Sequence, residues 1–166
     1  MLERLKTFMA EFAGEPKREF GEDDYRLATV ALLVQLANSE GPADAAERGR
    51  LSEVIEKNFD LDPAATARLI QSAETSDQEA VDFYRFTSVL CRNLDQTGRQ
   101  RIIEMMWEIA LADGAVHEVE ENIVARIAEL LGVSPHDRVR LRQRVAAQPA
   151  AGTAFARPWQ AVAAKE

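Results

Sequence analysis

The chain has 166 residues, 46% hydrophobic and 29% charged, with a formal net charge of −8. That length and composition suit one globular domain with a sizeable core. The negative balance argues against nucleic acid, anionic membrane and captured oxyanions as ligands, and favours cations or basic proteins.

Cys91 is the single cysteine, so an intramolecular disulfide is excluded and a reducing compartment fits. No apolar run approaches the ~20 residues of a transmembrane helix. The opening stretch MLERLKTFMAEF carries charges through its middle and does not read as a signal peptide. The expected location is the cytoplasm.

The predicted elements are all helical. Leu2, Leu5, Phe8, Met9 and Phe12 recur at spacings of three and four, an amphipathic stripe that predicts a first helix. Two glycines and a proline in AGEPKREFGEDD then break the pattern. A second helix is expected from about Asp24 to Ser39, and a third from about Ala45 to Phe59 with Leu51, Val54 and Ile55 inward. Asp62-Pro63 reads as an N-cap followed by proline at the first helical position, starting a fourth helix that reaches about Ala73. Ser76-Asp77-Gln78-Glu79 reads as a capping box for a fifth, ending near Arg92. The sixth runs from about Asp95 to Ala112, with Met105, Met106 and Trp107 as core. The seventh runs from about His117 to Leu131 and is closed by Gly132. Ser134-Pro135 opens an eighth, fading near Ala147. The expected organisation is therefore an N-terminal amphipathic helix and linker over residues 1–21, a helical domain over 22–147, and a flexible tail over 148–166. No segment shows the β-branched alternation of a strand.

The chain also repeats itself. An offset of 73 positions pairs Arg26 with Arg99, Leu36 with Ile109, Ala37 with Ala110, Glu40 with Asp113, Gly41 with Gly114, Glu47 with Glu120 and Val54 with Ile127. One extra residue near Phe59-Asp60 changes the offset to 72, which pairs Pro63 with Pro135, Arg68 with Arg140 and Leu69 with Leu141. The second to fourth predicted helices and the sixth to eighth thus read as two copies of one three-helix unit. The fold expected is an all-α, single-domain bundle of about 7–8 helices: two pseudo-symmetric three-helix units and a bridging helix.

The stretch ALADGAVHEVEENIVARIAELLGVS, with DDYRLATVALLVQLA and AVDFYRFTSVLCRNLD, resembles the tellurite-resistance TerB-like family. The likeness covers about Asp23 to Val145. It implies an all-α fold of two related helical units, with a junction cluster of acidic residues proposed in the family to bind divalent cations. It also implies an interaction role, since a similar domain accompanies some membrane-anchored J-domain co-chaperones. The family is not known as an enzyme family, and its name records a phenotype of some members. The first junction departs from the family pattern: Ser39-Glu40-Gly41-Pro42 stands where Asp-Gly is usual.

Asp113, Glu120, Glu40 and Glu47 are the candidate metal ligands, provided the repeat brings the two junctions together. The ion would be Ca²⁺, Mg²⁺, Mn²⁺ or Zn²⁺. The alternative is local: Asp-Gly is a turn dipeptide, and Asp44-Ala45-Ala46-Glu47 is a capping box with Glu120 in the equivalent place. A third reading is a protein-docking surface. The stretch is neither an EF-hand, since Glu118 stands at the sixth position, nor a zincin, since Glu121 follows His117 by four. His117 is expected as a surface residue beside Glu120 and Glu121. Cys91 is expected as a small core residue. Arg138, Arg140, Arg142 and Arg144 are expected to form a solvated face that pairs with acidic groups.

The function expected is a non-catalytic, cytoplasmic interaction module with an acidic, cation-binding surface, linked to stress or tellurite resistance. Its partners would be proteins, with a homodimer open and nucleic acid excluded. Two alternatives stand beside it: a metal-assisted hydrolase using the junction carboxylates, and a structural homodimer without a ligand.

Overall fold

The computed structural model describes residues 19–76 and 83–148. The expected first helix and nearly all of the expected tail lie outside these residues. Within them run seven α-helices: α1 (Tyr25–Ala37), α2 (Ala45–Phe59), α3 (Pro63–Ser76), α4 (Phe83–Asn93), α5 (Gln96–Ala110), α6 (Glu118–Leu131) and α7 (Pro135–Ala146). Among the described residues there is no β-strand; Ser39 and Gly41 form one isolated bridge.

Side chains fix most helix starts. Asp24 caps α1, its Oδ1 accepting from the Arg26 amide at 2.8 Å while Oδ2 pairs with the Arg26 guanidinium at 2.7 Å. Asp62 accepts from the Ala65 amide, Asp95 from the Gly98 amide and Ser134 from the Asp137 amide. The expected box at Ser76–Glu79 lies mostly outside the described residues. Ser76 itself lies within α3, as its last described residue. The helical backbone of α3 runs three residues past Ala73, through Glu74, Thr75 and Ser76, with no glycine or proline there to stop it.

The repeat is visible in the helix boundaries. Shifting α1 and α2 by 73 positions superimposes their sequence spans on α5 and α6, and shifting α3 by 72 brings it onto α7. The packing follows the same correspondence. α1 packs on α3 as α5 packs on α7, and α2 touches α5 as α6 touches α1. α1 and α5 also pack on each other, across the pseudo-two-fold axis, and α4 bridges α1 and α6. The one-residue change of offset falls where α2 ends in a left-handed residue, Asp60 (φ 54°); α6 ends the same way at Gly132 (φ 73°).

The core is built around α1 and α5. Every residue of α1 from Leu27 to Leu36 is buried, so this helix is covered on all sides rather than amphipathic. In α5 the buried run extends from Arg101 to Glu108 and includes Met105, Met106 and Trp107. The Trp107 indole donates to the Arg138 carbonyl of α7 at 3.1 Å and lies under the Arg142 guanidinium. Cys91 is half-buried at the core's edge, with Sγ 3.7 Å from the Leu130 carbonyl.

A charged network crosses this core. Arg101 donates to the Glu104 carboxylate at 2.6 Å, to the Asn58 side-chain oxygen at 2.6 and 2.8 Å, and lies 3.4 Å from Glu108. Asn58, Arg101, Glu104 and Glu108 are all buried. Arg144 reaches the other oxygen of Glu104 at 3.5 Å from α7. The α7 arginines do pair with acidic groups: Arg140 with Asp137, Arg142 with Glu121 and Arg144 with Glu104.

Candidate functional site

The two junctions have the same backbone construction. After α1, the Asn38 amide donates to Val34, Ser39 to Leu36 and Gly41 to the Asn38 carbonyl. After α5, Leu111 donates to Trp107, Ala112 to Ile109 and Gly114 to the Leu111 carbonyl, the same three bonds 73 positions on. Both turns close on a glycine of positive φ, Gly41 (117°) and Gly114 (87°). A β-carbon would be strained there although nothing lies near it, so the backbone conformation alone favours glycine.

The side chains diverge where the backbones agree. Asp44, the N-cap of α2, completes a reciprocal box: Asp44 Oδ1 accepts from the Glu47 amide and Glu47 Oε2 from the Asp44 amide, both at 2.8 Å. His117 stands in the equivalent place before α6, where the box with Glu120 recurs in a looser form that lacks a well-formed hydrogen bond to the His117 side chain. Glu120 still reaches back, but its Oε1 accepts from the His117 amide at a long 3.4 Å.

His117 instead turns its ring toward the other repeat. Its Nε2 lies 3.6 Å from Glu40 Oε2 and 3.8 Å from Asp113 Oδ2. Glu40, His117 and Glu120 each offer a ligand atom, and these atoms lie within 4.8 Å of one another. Two ligands at the usual ~2.0–2.2 Å from one ion are at most ~4.4 Å apart, close to the spacing of these atoms. Asp113 sits at the rim, its Oδ1 3.3 Å from the Ala115 amide. Of the four carboxylates expected as ligands, Glu40, Asp113 and Glu120 thus gather around one imidazole. Glu47 lines the same cleft but its carboxylate is held in the capping box.

The cleft floor is apolar, formed by Leu36, Ala37, Ile109 and Ala112 at the ends of α1 and α5. It offers about 60 Å³ to water, room for an ion and its waters and far less than the ~300 Å³ or more of a small-molecule pocket. A wider hollow of about 830 Å³ adjoins it, sharing Glu47, Arg50, Ala112 and Asp113 with the first.

The family profile described as tellurite resistance protein TerB matches residues 26–143, from the first turn of α1 to near the end of α7. The chain belongs to the TerB family. No curated protein and no solved structure matches it. The matched span includes both junctions of the TerB domain and the bridging helix α4.

Electrostatics mark Glu120 in this cleft of the TerB domain. Burial pushes its pKa above the ordinary carboxylate range, and the charges of Asp113 and Glu40 push the same way; the His117 amide and ring partly offset them. Two residues of this cleft carry only weak sequence signals. His117 lacks the spacing of a recognised zinc motif, and Arg50 reads as one more surface charge on an amphipathic helix. The repeat alignment carries one cue for His117, because Asp44 stands opposite it.

Proposed function

We propose that this TerB domain is a non-catalytic cytoplasmic interaction module that holds a divalent cation between its two repeats. Glu40, His117 and Glu120 are the ligands in this reading, with Asp113 as an outer carboxylate. The observation that carries it is the approach of Glu40 from the first junction to His117 of the second, 3.6 Å apart. Unsatisfied negative charge supports it further: Glu120 is half-buried beside two other carboxylates, which a cation would stabilise.

The ligand set narrows the ion. One imidazole and two carboxylates suit Zn²⁺ or Mn²⁺, whereas Ca²⁺ and Mg²⁺ prefer oxygen alone. A bound ion would lock the two junctions together and set the shape of the acidic face offered to a basic protein partner. Titration calorimetry with Zn²⁺, Mn²⁺, Ca²⁺ and Mg²⁺ tests the reading. Binding tighter than millimolar, lost in Glu120→Gln and Glu40→Gln, is expected. If no ion binds below millimolar, the cation site is wrong and the carboxylates are caps and solvated charges.

A further inference from the structure

We infer that residues 155–165 are the repeat twin of α4 and dock on α5 and α2, in the wide hollow beside the junction cleft. These residues lie outside the described ones; the seat on the bundle and the sequence of the segment point to the docking.

The seat follows from the pseudo-symmetry. α1 packs on α2, α3, α5 and α6, and α4 lies on it as a fifth neighbour. α5 packs on α6, α7, α1 and α2, the twins of the first four, and no described helix packs on it as α4 packs on α1. Because α4 sits on α1 and α6, its twin belongs on α5 and α2, where the hollow of about 830 Å³ opens. Val145, Ala146 and Gln148 line the same hollow, so the chain leaves α7 at its edge.

The segment has the sequence for that seat. The offset of 72 that carries α3 onto α7 continues, pairing Phe83 with Phe155 and Arg85 with Arg157. The link between Gln148 and Phe155 is as long as the link between Ser76 and Phe83. α4 turns Phe86, Thr87, Val89 and Leu90 inward, and their twins are Pro158, Trp159, Ala161 and Val162, none of them charged. The exposed Arg85 and Asn93 of α4 have Arg157 and Lys165 opposite them, so both basic residues take outward positions. Pro158 is the departure. Proline fits the first position of a helix, so the twin is a shorter helix starting there, with Trp159, Ala161 and Val162 still on its inward face. Charge agrees as well. Among its described residues the hollow has Asp44, Glu47, Glu53, Glu108 and Asp113 against Arg50, whereas residues 155–165 hold two basic residues and no acid.

Glu47, Ala112 and Asp113 line both the hollow and the junction cleft, so a segment seated there walls one side of the cleft. A basic protein drawn to this acidic face must displace it.

The test is paramagnetic broadening in the full chain, without any ion. A nitroxide is attached at Ala156→Cys, an outward position by the repeat, in a Cys91→Ser background. The amides of Gly49 and Gly114, which line the hollow, are expected to broaden. That of Gly21, two residues from the Asp23 that pairs with Arg92 of α4, is expected to stay sharp. Val162→Asp, at the twin of the buried Leu90, is expected to abolish the broadening. Hydrogen exchange needs no label and covers a labelled chain that fails to fold: over 159–165 it is expected to be about tenfold slower or more in wild type than in Val162→Asp. Sharp Gly49 and Gly114 amides, or equal exchange in the two chains, overturn the inference. Broadening that arises only between mixed spin-labelled and ¹⁵N-labelled chains gives the seat to a second copy and overturns it too.

Discussion

His117 Nε2 lies 3.6 Å from Glu40 Oε2, although 77 positions separate the two residues in the chain. His117 occupies the N-cap of α6, where its twin in the first repeat is a capping aspartate. A tight aspartate cap is replaced at this position by a looser one, with the imidazole set against a carboxylate from the other repeat.

That exchange predicts opposite effects on stability and binding. His117→Ser supplies a hydroxyl that can accept from the Glu120 amide and complete the box. Stability should rise by about 0.5–1 kcal/mol in urea unfolding without ion. Zn²⁺ affinity should drop at least about tenfold, because one of three ligands is gone. Lower stability of the serine variant would show that His117 is needed structurally. Unchanged Zn²⁺ affinity would remove it from the ligand set.

Glu120 predicts a pH dependence. Its folded pKa lies above its unfolded value, so between the two the native state binds more protons. The ion-free protein should therefore lose stability as pH rises from the ordinary carboxylate range through the raised value. Glu120→Gln keeps an acceptor for the His117 amide and removes the charge. Its melting temperature should exceed that of wild type at pH 7, and the gap should close below pH ~4. A gap that widens on acidification would give the shift the wrong sign.

Arg101 predicts a large structural effect within the core. Arg101→Met leaves Glu108 buried without its partner and removes donors from Glu104 and Asn58. Breaking such a pair from one side should cost about 3–5 kcal/mol in urea unfolding. Arg101→Met combined with Glu108→Leu should recover part of it. A cost below about 1 kcal/mol for the single change would mean that water already reaches the network.

Much of the fold was legible because its signals are local. Asp62-Pro63, Ser134-Pro135 and Gly132 each mark a helix end through bonds made within a few residues. The repeat was legible because duplication leaves aligned residues, from Glu40 and Asp113 to Glu47 and Glu120. Other features depend on distant partners. Arg101 and Glu104 look like an exposed i,i+3 pair in sequence, and only the packing of α2 and α7 around α5 buries them. Asp44 and Glu47 form the cap that their spacing predicts; Glu47 is also a candidate ligand by the repeat, but that cap already occupies its carboxylate. His117 was read as a surface residue beside Glu120. It is half-exposed, but what its ring faces depends on how the two units meet.

The correspondence of α1–α3 with α5–α7 gives the molecule the plan of a dimer folded into one chain. In a true homodimer, a cluster shared across the axis would empty on dilution as the halves parted. Here α4 ties the halves together, which fixes their local concentration regardless of how many molecules the solution holds. It also frees each half to drift from its twin, so that one junction can keep a tight cap while the other carries the imidazole.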